Sequence, residues 1–340
     1  GKTTVTSLTV QTMIEAGLDP SAVIGGKLPL TNSYGRVGNT ETIVMESCEY
    51  QDTFLKMSPD VAVILNIDED HLEYFKTMEN LILSFTKFAE SATKAIIYNG
   101  DDENTLKAIK DIKGKEMISF GFDSKNDYYA ENVEEYKGAF TKFDIMYKGE
   151  KLGSVELAIP GIHNVLNALA AIASAIYSGA KFEDCIKGLQ EFKGAGRRFE
   201  DLGTYNGIDF IDDYAHHPAE LKVTLEAAMK MGYNTVWAVF QPFTYSRTAM
   251  HFDEFVDVLK IPDRCVMTEI MGSREVNTYD IYTSQLAEKI PNSVWFNTQE
   301  EVAEYVVNHA KAGDLVLTMG CGDIYKSAFM MIERLKNGTV

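Results

Sequence analysis

The segment Val61-Ala-Val-Ile-Leu-Asn-Ile67 constrains the fold more than any other stretch. It is apolar almost without a break and is bounded by polar residues on both sides. A strand with one wet face alternates apolar and polar side chains. A continuous run has both faces covered, as in parallel sheets flanked by helices. The run ends in Asp68-Glu-Asp-His71, a helix is predicted over 78–92, and a further strand over 94–98 closes on Asn99-Gly-Asp-Asp102. Strand and helix alternate, so a doubly wound sheet is the natural architecture.

The alternation extends towards both ends. Gly1-Lys2-Thr3-Thr4 has the form of the second half of a phosphate-binding loop. In the whole motif, backbone N–H groups cradle the phosphates, the Lys reaches the terminal ones and the hydroxyl ligates Mg²⁺. An amphipathic run over 5–16 follows, and a helix N-terminus there would face the same anion. A short strand is predicted over 22–26, a polar and mobile loop over 31–39, and a strand over 42–48 that delivers Glu46 near its end. From 127 to 157 alternating strands and turns predict a small antiparallel patch beside the main sheet. Pro160-Gly-Ile-His-Asn-Val-Leu-Asn167 opens an apolar helix running to Tyr177, and a second helix over 182–192 ends at Gly194-Ala-Gly196.

The domain boundary is placed there, giving a central domain over 1–196 and a C-terminal domain over 197–340. The latter alternates again: strands over 208–214, 235–240, 264–269, 294–296 and 314–319, with helices over 219–231, 252–259, 284–289 and 300–311 and from about Ile324. That pattern describes a second, Rossmann-like α/β sheet. Ligands of such sheets bind beyond the carboxyl ends of the strands. The phosphate loop, Glu46 and the segment from Asp68 to His71 share that edge.

At 340 residues the chain has the length of two domains. Its formal net charge of −18 argues against non-specific nucleic-acid binding, which needs a basic face. An anionic small substrate stays open, because a site needs only a few local cations. No apolar run approaches the roughly 20 residues of a membrane span, and no signal-peptide pattern is present. Cys48, Cys185, Cys265 and Cys321 lie far apart without metal-type pairs, as reduced thiols of a cytoplasmic protein would. The chain opens without Met inside half a motif, so the loop is expected to continue before Gly1.

Several clusters carry chemistry. Glu46 and His71 suit Mg²⁺ or Mn²⁺ if waters and phosphate oxygens complete the shell. They could equally be a solvated strand-end charge and a neighbour of a helix cap. Asp68 and Asp70 are favourable near a helix N-terminus whatever they bind. His163 and Asn164 could meet a base or ribose, although Asn164 and Asn167 are also ordinary first-turn residues. Arg197 and Arg198, in a Gly-rich hinge, suit a transferring phosphoryl group or a plain salt bridge. Asp212-Asp-Tyr-Ala-His-His-Pro218 is the densest polar cluster. It follows a strand and could bind Mg²⁺, orient an amine or accept its proton. Without a Cys or a further His it is a poor zinc site. Phe240-Gln-Pro-Phe-Thr-Tyr-Ser-Arg-Thr248 follows another strand, and Arg247 there suits a carboxylate. Gly320-Cys-Gly-Asp323 is a tight turn at the same edge.

Taken in order, these motifs resemble the Mur ligase family over the whole chain: Gly-Lys-Thr-Thr, Glu46-Ser-Cys-Glu49, Asn66-Ile-Asp-Glu-Asp-His71, Pro160 to Asn167, Gly196-Arg-Arg-Phe199, Asp212 to Pro218, Phe240-Gln-Pro242 and Gly320 to Asp323. Within the family, the Asp-Asp-Tyr-x-His-His-Pro and Phe-Gln-Pro pieces look most like members that add L-alanine to UDP-N-acetylmuramate. The resemblance implies a cytoplasmic, ATP-dependent amide ligase of peptidoglycan precursor synthesis, using Mg²⁺ or Mn²⁺ and passing through an acyl phosphate. It implies that Gly1, Lys2, Thr3 and Thr4 hold ATP, and that Thr3, Glu46 and His71 hold metal. His163, Asn164 and Asn167 would lie on the adenine or ribose side. Arg198 and Asp213 would reach ATP from the second domain, and Tyr214, His216 and Arg247 would face the amino acid. Lys2, Arg198 and His216 are then the catalytic candidates.

Three departures are expected to matter. The family's N-terminal UDP-binding domain would precede Gly1. The phosphate loop lacks its first residues. Phe243 and Thr244 follow Phe-Gln-Pro where relatives often carry His. Some members carry a carbamylated Lys; Lys87 is the nearest and its register is wrong. The alternatives are a recycling ligase that attaches a whole peptide to the same sugar nucleotide, a folylpolyglutamate synthase, and a non-catalytic nucleotide-binding module on the same scaffold.

Overall fold

The computed structural model describes residues 1–338. The chain divides into two compact units, one of residues 1–136 and 140–195, the other of 137–139 and 196–340.

The first unit opens with helix α1 (Lys2–Glu15) and a three-stranded sheet of β1 (Ser21–Leu28), β2 (Ser33–Arg36) and β3 (Ile43–Met45). In it β1 lies in the middle, antiparallel to β2 and parallel to β3. A 3₁₀ segment (Tyr50–Lys56) leads to β4 (Val61–Ile64), α2 (Leu72–Phe75), α3 (Met78–Ser91), β5 (Ala95–Asn99), α4 (Glu103–Ile109) and β6 (Glu116–Gly121). Three long strands follow, β7 (Tyr128–Tyr136), β8 (Phe140–Tyr147) and β9 (Glu150–Pro160), then α5 (His163–Tyr177) and α6 (Phe182–Glu191). Strands β4 to β9 form one sheet in sequence order, parallel through β7 and antiparallel beyond it.

Two expectations change here. The antiparallel strands are not a patch beside the main sheet; β7 pairs with β6 at Phe120 and Gly121, so the ladder runs on without a seam. The segment 31–39 is not all loop, since it contains β2. Arg36 there pairs with Asp19, and Asn39 bonds the same carboxylate.

Helix α1 also departs from an amphipathic pattern. It is buried on every side from Val5 to Met13. Two of its buried polar side chains are bonded: Thr6 Oγ1 donates to the Lys2 carbonyl one turn back at 2.9 Å, and Gln11 Nε2 donates across to the Gly188 carbonyl on α6 at 3.2 Å. A Cβ on Gly188 would stand 2.6 Å from Thr12 Cα, so α6 approaches α1 more closely than any other residue there allows. Helix α5 is buried from Val165 to Ala175 except at Leu166, and shares this core with Leu8, Val10 and Met13.

The second unit has strands β10 (Glu200–Tyr205), β11 (Ile208–Asp213), β12 (Val236–Phe240), β13 (Arg264–Thr268), β14 (Ser293–Phe296) and β15 (Leu315–Met319). Its helices are α7 (Pro218–Lys230), α8 (Tyr245–Met250), α9 (Phe252–Val258), α10 (Thr283–Ala287), α11 (Gln299–His309) and α12 (Tyr325–Asn337). The sheet order is β10-β11-β15-β12-β13-β14, parallel throughout except for the antiparallel edge strand β10. Apolar side chains fill both faces, one cluster around Leu221, Leu225 and Phe255, the other around Val302, Val306 and Met331. Every residue of β12 and β15 is buried, as expected for central parallel strands.

The register decides what meets at the functional edge. Asp213, Met319 and Phe240 are Cα partners across β11, β15 and β12. Tyr214, Gly320 and Gln241 therefore leave the sheet together. Among the described residues no helix is long and apolar enough to cross a membrane.

Candidate active site

In the first unit the N-terminus of α1 gathers the charged groups. Lys2 Nζ donates to both oxygens of Glu49, at 3.0 and 2.9 Å. Its side chain is 47% exposed while Glu49 is only 10% exposed. Burial works against the ammonium, but Glu49 outweighs it, helped by Cys48 and Asp70, and the pKa of Lys2 is raised. Thr3 is buried and donates from Oγ1 to Glu46 Oε1 at 2.9 Å. The other Glu46 oxygen accepts the Gly25 N–H at 2.6 Å. Glu46 therefore ties the end of β3 to α1 and β1.

Of the three expected metal ligands, Thr3 and Glu46 are joined by that hydrogen bond, and both Glu46 oxygens accept within the fold. The third, His71, is placed against two further carboxylates. Its Nε2 lies 3.9 Å from Glu49 Oε1 and 3.6 Å from Asp70 Oδ2. Donor atoms of Glu49, Asp70 and His71 lie within 4.8 Å of one another, a grouping two carboxylates and an imidazole make suitable for Mg²⁺ or Mn²⁺. His71 has φ +56°, and Gln51 and Asp52 also adopt the left-handed region. Such backbone persists only where surrounding bonds fix it. Here Asp52 accepts the Tyr74 hydroxyl at 2.7 Å and pairs with Ser84, and the Tyr50 ring packs on His71 at 4.7 Å. Glu49 was missed from sequence. The signal was its place three residues after Glu46 in Glu-Ser-Cys-Glu. Lys87 is exposed on α3.

Asn164 and Asn167 are buried and bonded within the fold. Asn164 Nδ2 donates to the Pro160 carbonyl at 2.8 Å, and Asn167 Nδ2 to Asn164 Oδ1 at 2.8 Å. Asn167 Oδ1 would sit 2.6 Å from a Cβ on Gly1, so the start of α5 abuts the start of α1. His163 is exposed, its ring folded over Gly161 at φ +102°. Thr4 is half-buried on the first turn of α1.

In the second unit Arg197 is fully engaged. Its Nε donates to Asp212 Oδ2 at 2.8 Å, and its two terminal nitrogens donate to the carbonyls of Gly322 at 2.9 Å and Gly320 at 2.6 Å. Its guanidinium lies over the rings of Tyr325 at 4.5 Å and Tyr214 at 5.0 Å. Asp212 is buried and also accepts Thr318 Oγ1 at 2.7 Å; burial still raises its pKa against the pull of Arg197. Arg197 and Phe199 both have positive φ, +60° and +52°. The strain is held by Tyr214 N donating to the Arg197 carbonyl at 2.7 Å and by Phe199 N donating to Asp213 Oδ2 at 2.7 Å. Arg198, between them, lies over the Tyr214 ring at 4.8 Å.

Asp213 is buried, with Oδ1 accepting the Ala215 N–H at 2.8 Å. Burial pushes its pKa up to about 6, despite Arg198 and the two amides. Its carboxylate clamps the loop rather than facing outward. His216 Nδ1 lies 3.0 Å from the Tyr214 carbonyl and 3.2 Å from Glu220. His217 caps α7 through a bond to the Ala219 N–H, and Glu220 closes the capping box. Arg247 lies on α8, near enough to Cys321 to lower the thiol's pKa, yet burial dominates and pushes it up to about 12. Arg197, Tyr214, Glu220, Arg247 and Cys321 thus share one neighbourhood at the carboxyl ends of β11, β15 and β12.

Two α/β units, each collecting charged side chains beyond its strand ends, define the class of protein. The particular family follows from comparison with known proteins. Residues 1–175 match the Mur ligase middle domain, and residues 197–322 match the Mur ligase glutamate ligase domain. UDP-N-acetylmuramate–L-alanine ligase of Acetivibrio thermocellus is 40% identical over 340 residues, covering 98% of this chain and 72% of the relative. The enzyme of the same name from Clostridium botulinum is 40% identical over 339 residues, covering 98% and 74%. The crystal structure of UDP-N-acetylmuramate–alanine ligase from Thermotoga maritima superposes with a TM-score of 0.83 at 25% identity, over 99% of this chain and 74% of that one. The chain belongs to the Mur ligase family.

Proposed function

We propose that this chain carries the catalytic units of an ATP-dependent amide ligase that joins L-alanine to UDP-N-acetylmuramate in the cytoplasm, for peptidoglycan precursor synthesis. Its relatives from Acetivibrio thermocellus and Clostridium botulinum carry that name at 40% identity. The observation that carries the reading is the grouping at the start of α1. A helix N-terminus, a lysine held by a replaceable carboxylate and a carboxylate–imidazole set stand together.

In this reading the substrate carboxylate attacks the terminal phosphorus of ATP, and ADP leaves. The amino group of L-alanine then attacks the acyl phosphate, and inorganic phosphate leaves as the amide forms. Lys2 exchanges Glu49 for the transferring phosphoryl group. Such transfer needs positioning and offset charge more than covalent help. Glu49, Asp70 and His71 would hold Mg²⁺ or Mn²⁺, which supplies charge for the phosphates; Glu46 would fix Thr3. Gly1 and Thr4 line the same helix start, with His163, Asn164 and Asn167 beside it. Arg198 offers a guanidinium to the phosphoryl group. Asp213 serves by fixing the Arg198 loop. Arg247 would hold the amino acid's carboxylate, with Tyr214 and His216 at its amine, where His216 can take the proton released.

The test is ATP-dependent phosphate release by the full chain as its gene encodes it. Release should require both L-alanine and UDP-N-acetylmuramate. Turnover with a tripeptide and not with L-alanine would move the assignment to the recycling reaction, and no release with either would sink the ligase reading.

A further inference from the structure

The second unit holds a buried acceptor with nothing to accept. Gln241 is the first residue after β12, and its backbone is fixed by N–H donation to the Met319 carbonyl at 3.2 Å. The residue is 7% exposed, and its side-chain Oε1 is sealed from solvent without a hydrogen-bond partner. Leaving such an atom unpaired costs on the order of 1–3 kcal/mol, so a fold that keeps one has a use for it or a water on it.

The surroundings suggest the use. A Cβ built on Gly322 would meet Met271 Sδ at 2.6 Å, Gln241 Oε1 at 2.8 Å and the Phe243 ring at 3.6 Å. The acceptor therefore lies against the Gly320–Gly322 turn with a thioether and a ring as neighbours. That turn is the one Arg197 holds by its carbonyls, and Cys321 within it senses Arg247. Met271 is 45% exposed. It is an unbranched, adaptable side chain that can swing aside without disturbing the sheet.

We propose that Gln241 is a substrate-binding residue, its carboxamide oxygen accepting a hydrogen bond from the α-amino group of the incoming amino acid once Met271 moves off it. Arg247 takes the carboxylate of the same molecule. Phe243 and Met271 then bound the space for its side chain and favour a small apolar one. This rests on the amide-ligase reading, because it assigns the nucleophile of that reaction.

The test is Gln241→Leu in the full chain, with the apparent KM for L-alanine, the KM for ATP and the melting temperature measured together. Losing a hydrogen bond to a charged group should raise the KM for L-alanine by about 10- to 100-fold. The KM for ATP should stay put, and the melting temperature should hold or rise because an unpaired polar atom is gone. Gln241→Glu, which keeps an acceptor, should recover most of the affinity. An unchanged KM for L-alanine would overturn the proposal. So would a lower melting temperature with that KM unmoved, which is the signature of a structural water. If Gln241→Leu does not fold, Met271→Ala replaces it. Uncovering the acceptor should lower the KM for L-alanine, and an unchanged or higher value counts against the assignment. Wild-type protein that releases no phosphate with L-alanine fails the ligase reading itself, whatever Gln241 does.

Discussion

The two charged clusters are built on opposite plans. In the first unit Lys2 is held by one carboxylate, on a side chain that remains half in water. A ligand bearing its own negative charge can replace that partner. In the second unit Arg197 is spent on a buried carboxylate and two backbone carbonyls, with an aromatic ring on each of two sides. No ligand can substitute for fixed carbonyls, so Arg197 is scaffold, and the ligand-binding role proposed above falls to its neighbour Arg198, which lies over the Tyr214 ring. Two cations that look alike in sequence therefore differ in what their loss should do.

The widest separation is expected between activity and stability. Lys2→Ala should reduce ATP-dependent phosphate release by about 10³-fold, the scale seen when a charge-stabilising donor is removed. Its melting temperature should fall less than that of Arg197→Met, because the Lys2 side of the pair is half in water. Arg197→Met should do the reverse first. It leaves Asp212 buried and uncompensated, which costs about 3–5 kcal/mol, read as a lower urea midpoint. Arg198→Met should lose activity and cost less stability than Arg197→Met, since Asp213 keeps its two backbone donors when that guanidinium is gone. If Arg197→Met unfolds at the wild-type midpoint, the contrast between the clusters collapses.

Much of this could be read from the chain alone, and the failures have physical causes. The strands around Val61 and Val236 announce themselves because burial on both faces leaves an unbroken apolar run. Strand β10 does not, since Glu200-Asp-Leu-Gly-Thr-Tyr205 is an edge strand with few apolar side chains. Helix α1 misled because its small Thr and Ser side chains are buried along with the apolar ones, whereas a periodicity argument counts them as solvent-facing. The motifs Glu46 to Glu49 and Asp212 to Pro218 could be located, but the division of labour inside each could not. Whether Glu46 or Glu49 meets His71 depends on the backbone between Cys48 and Asp52, where two residues take positive φ that no side-chain pattern encodes. Likewise Asp213 looks like a ligand in sequence and is a loop clamp in space.

That clamp gives the next prediction. A carboxyl whose folded pKa is raised to about 6 binds its proton more tightly in the folded state than in the unfolded one, where the value is near 3.8. Stability contributed by this group is therefore greatest at low pH, and it falls as pH rises from about 4 to 6, by about 3 kcal/mol in all. Asp213→Asn removes the titration. Its unfolding free energy should be lower at pH 8, since an amide NH₂ cannot accept from a backbone amide, yet flatter between pH 4 and 6 than that of the wild type. Parallel pH profiles for the two proteins would show that the two backbone donors, and not burial, govern Asp213.

The smallest effect separates the two glutamates of the first cluster. Glu49 shares its oxygens between Lys2 and the approach to His71, whereas Glu46 holds Thr3 and the Gly25 amide. Removing one unit of ligand charge at Glu49 should weaken Mn²⁺ binding about tenfold, measured by titration of the full chain in the absence of nucleotide. Glu49→Gln also withdraws the main influence that raises the Lys2 pKa, so that pKa should move down. Glu46→Gln leaves the Glu49–Asp70–His71 grouping intact, and its cost should fall on the packing of α1 against β1 instead. Equal loss of Mn²⁺ affinity in both variants would mean that the cation draws Glu46 away from Gly25. The ligand set would then be the one that Thr3, Glu46 and His71 form only with the ion in place.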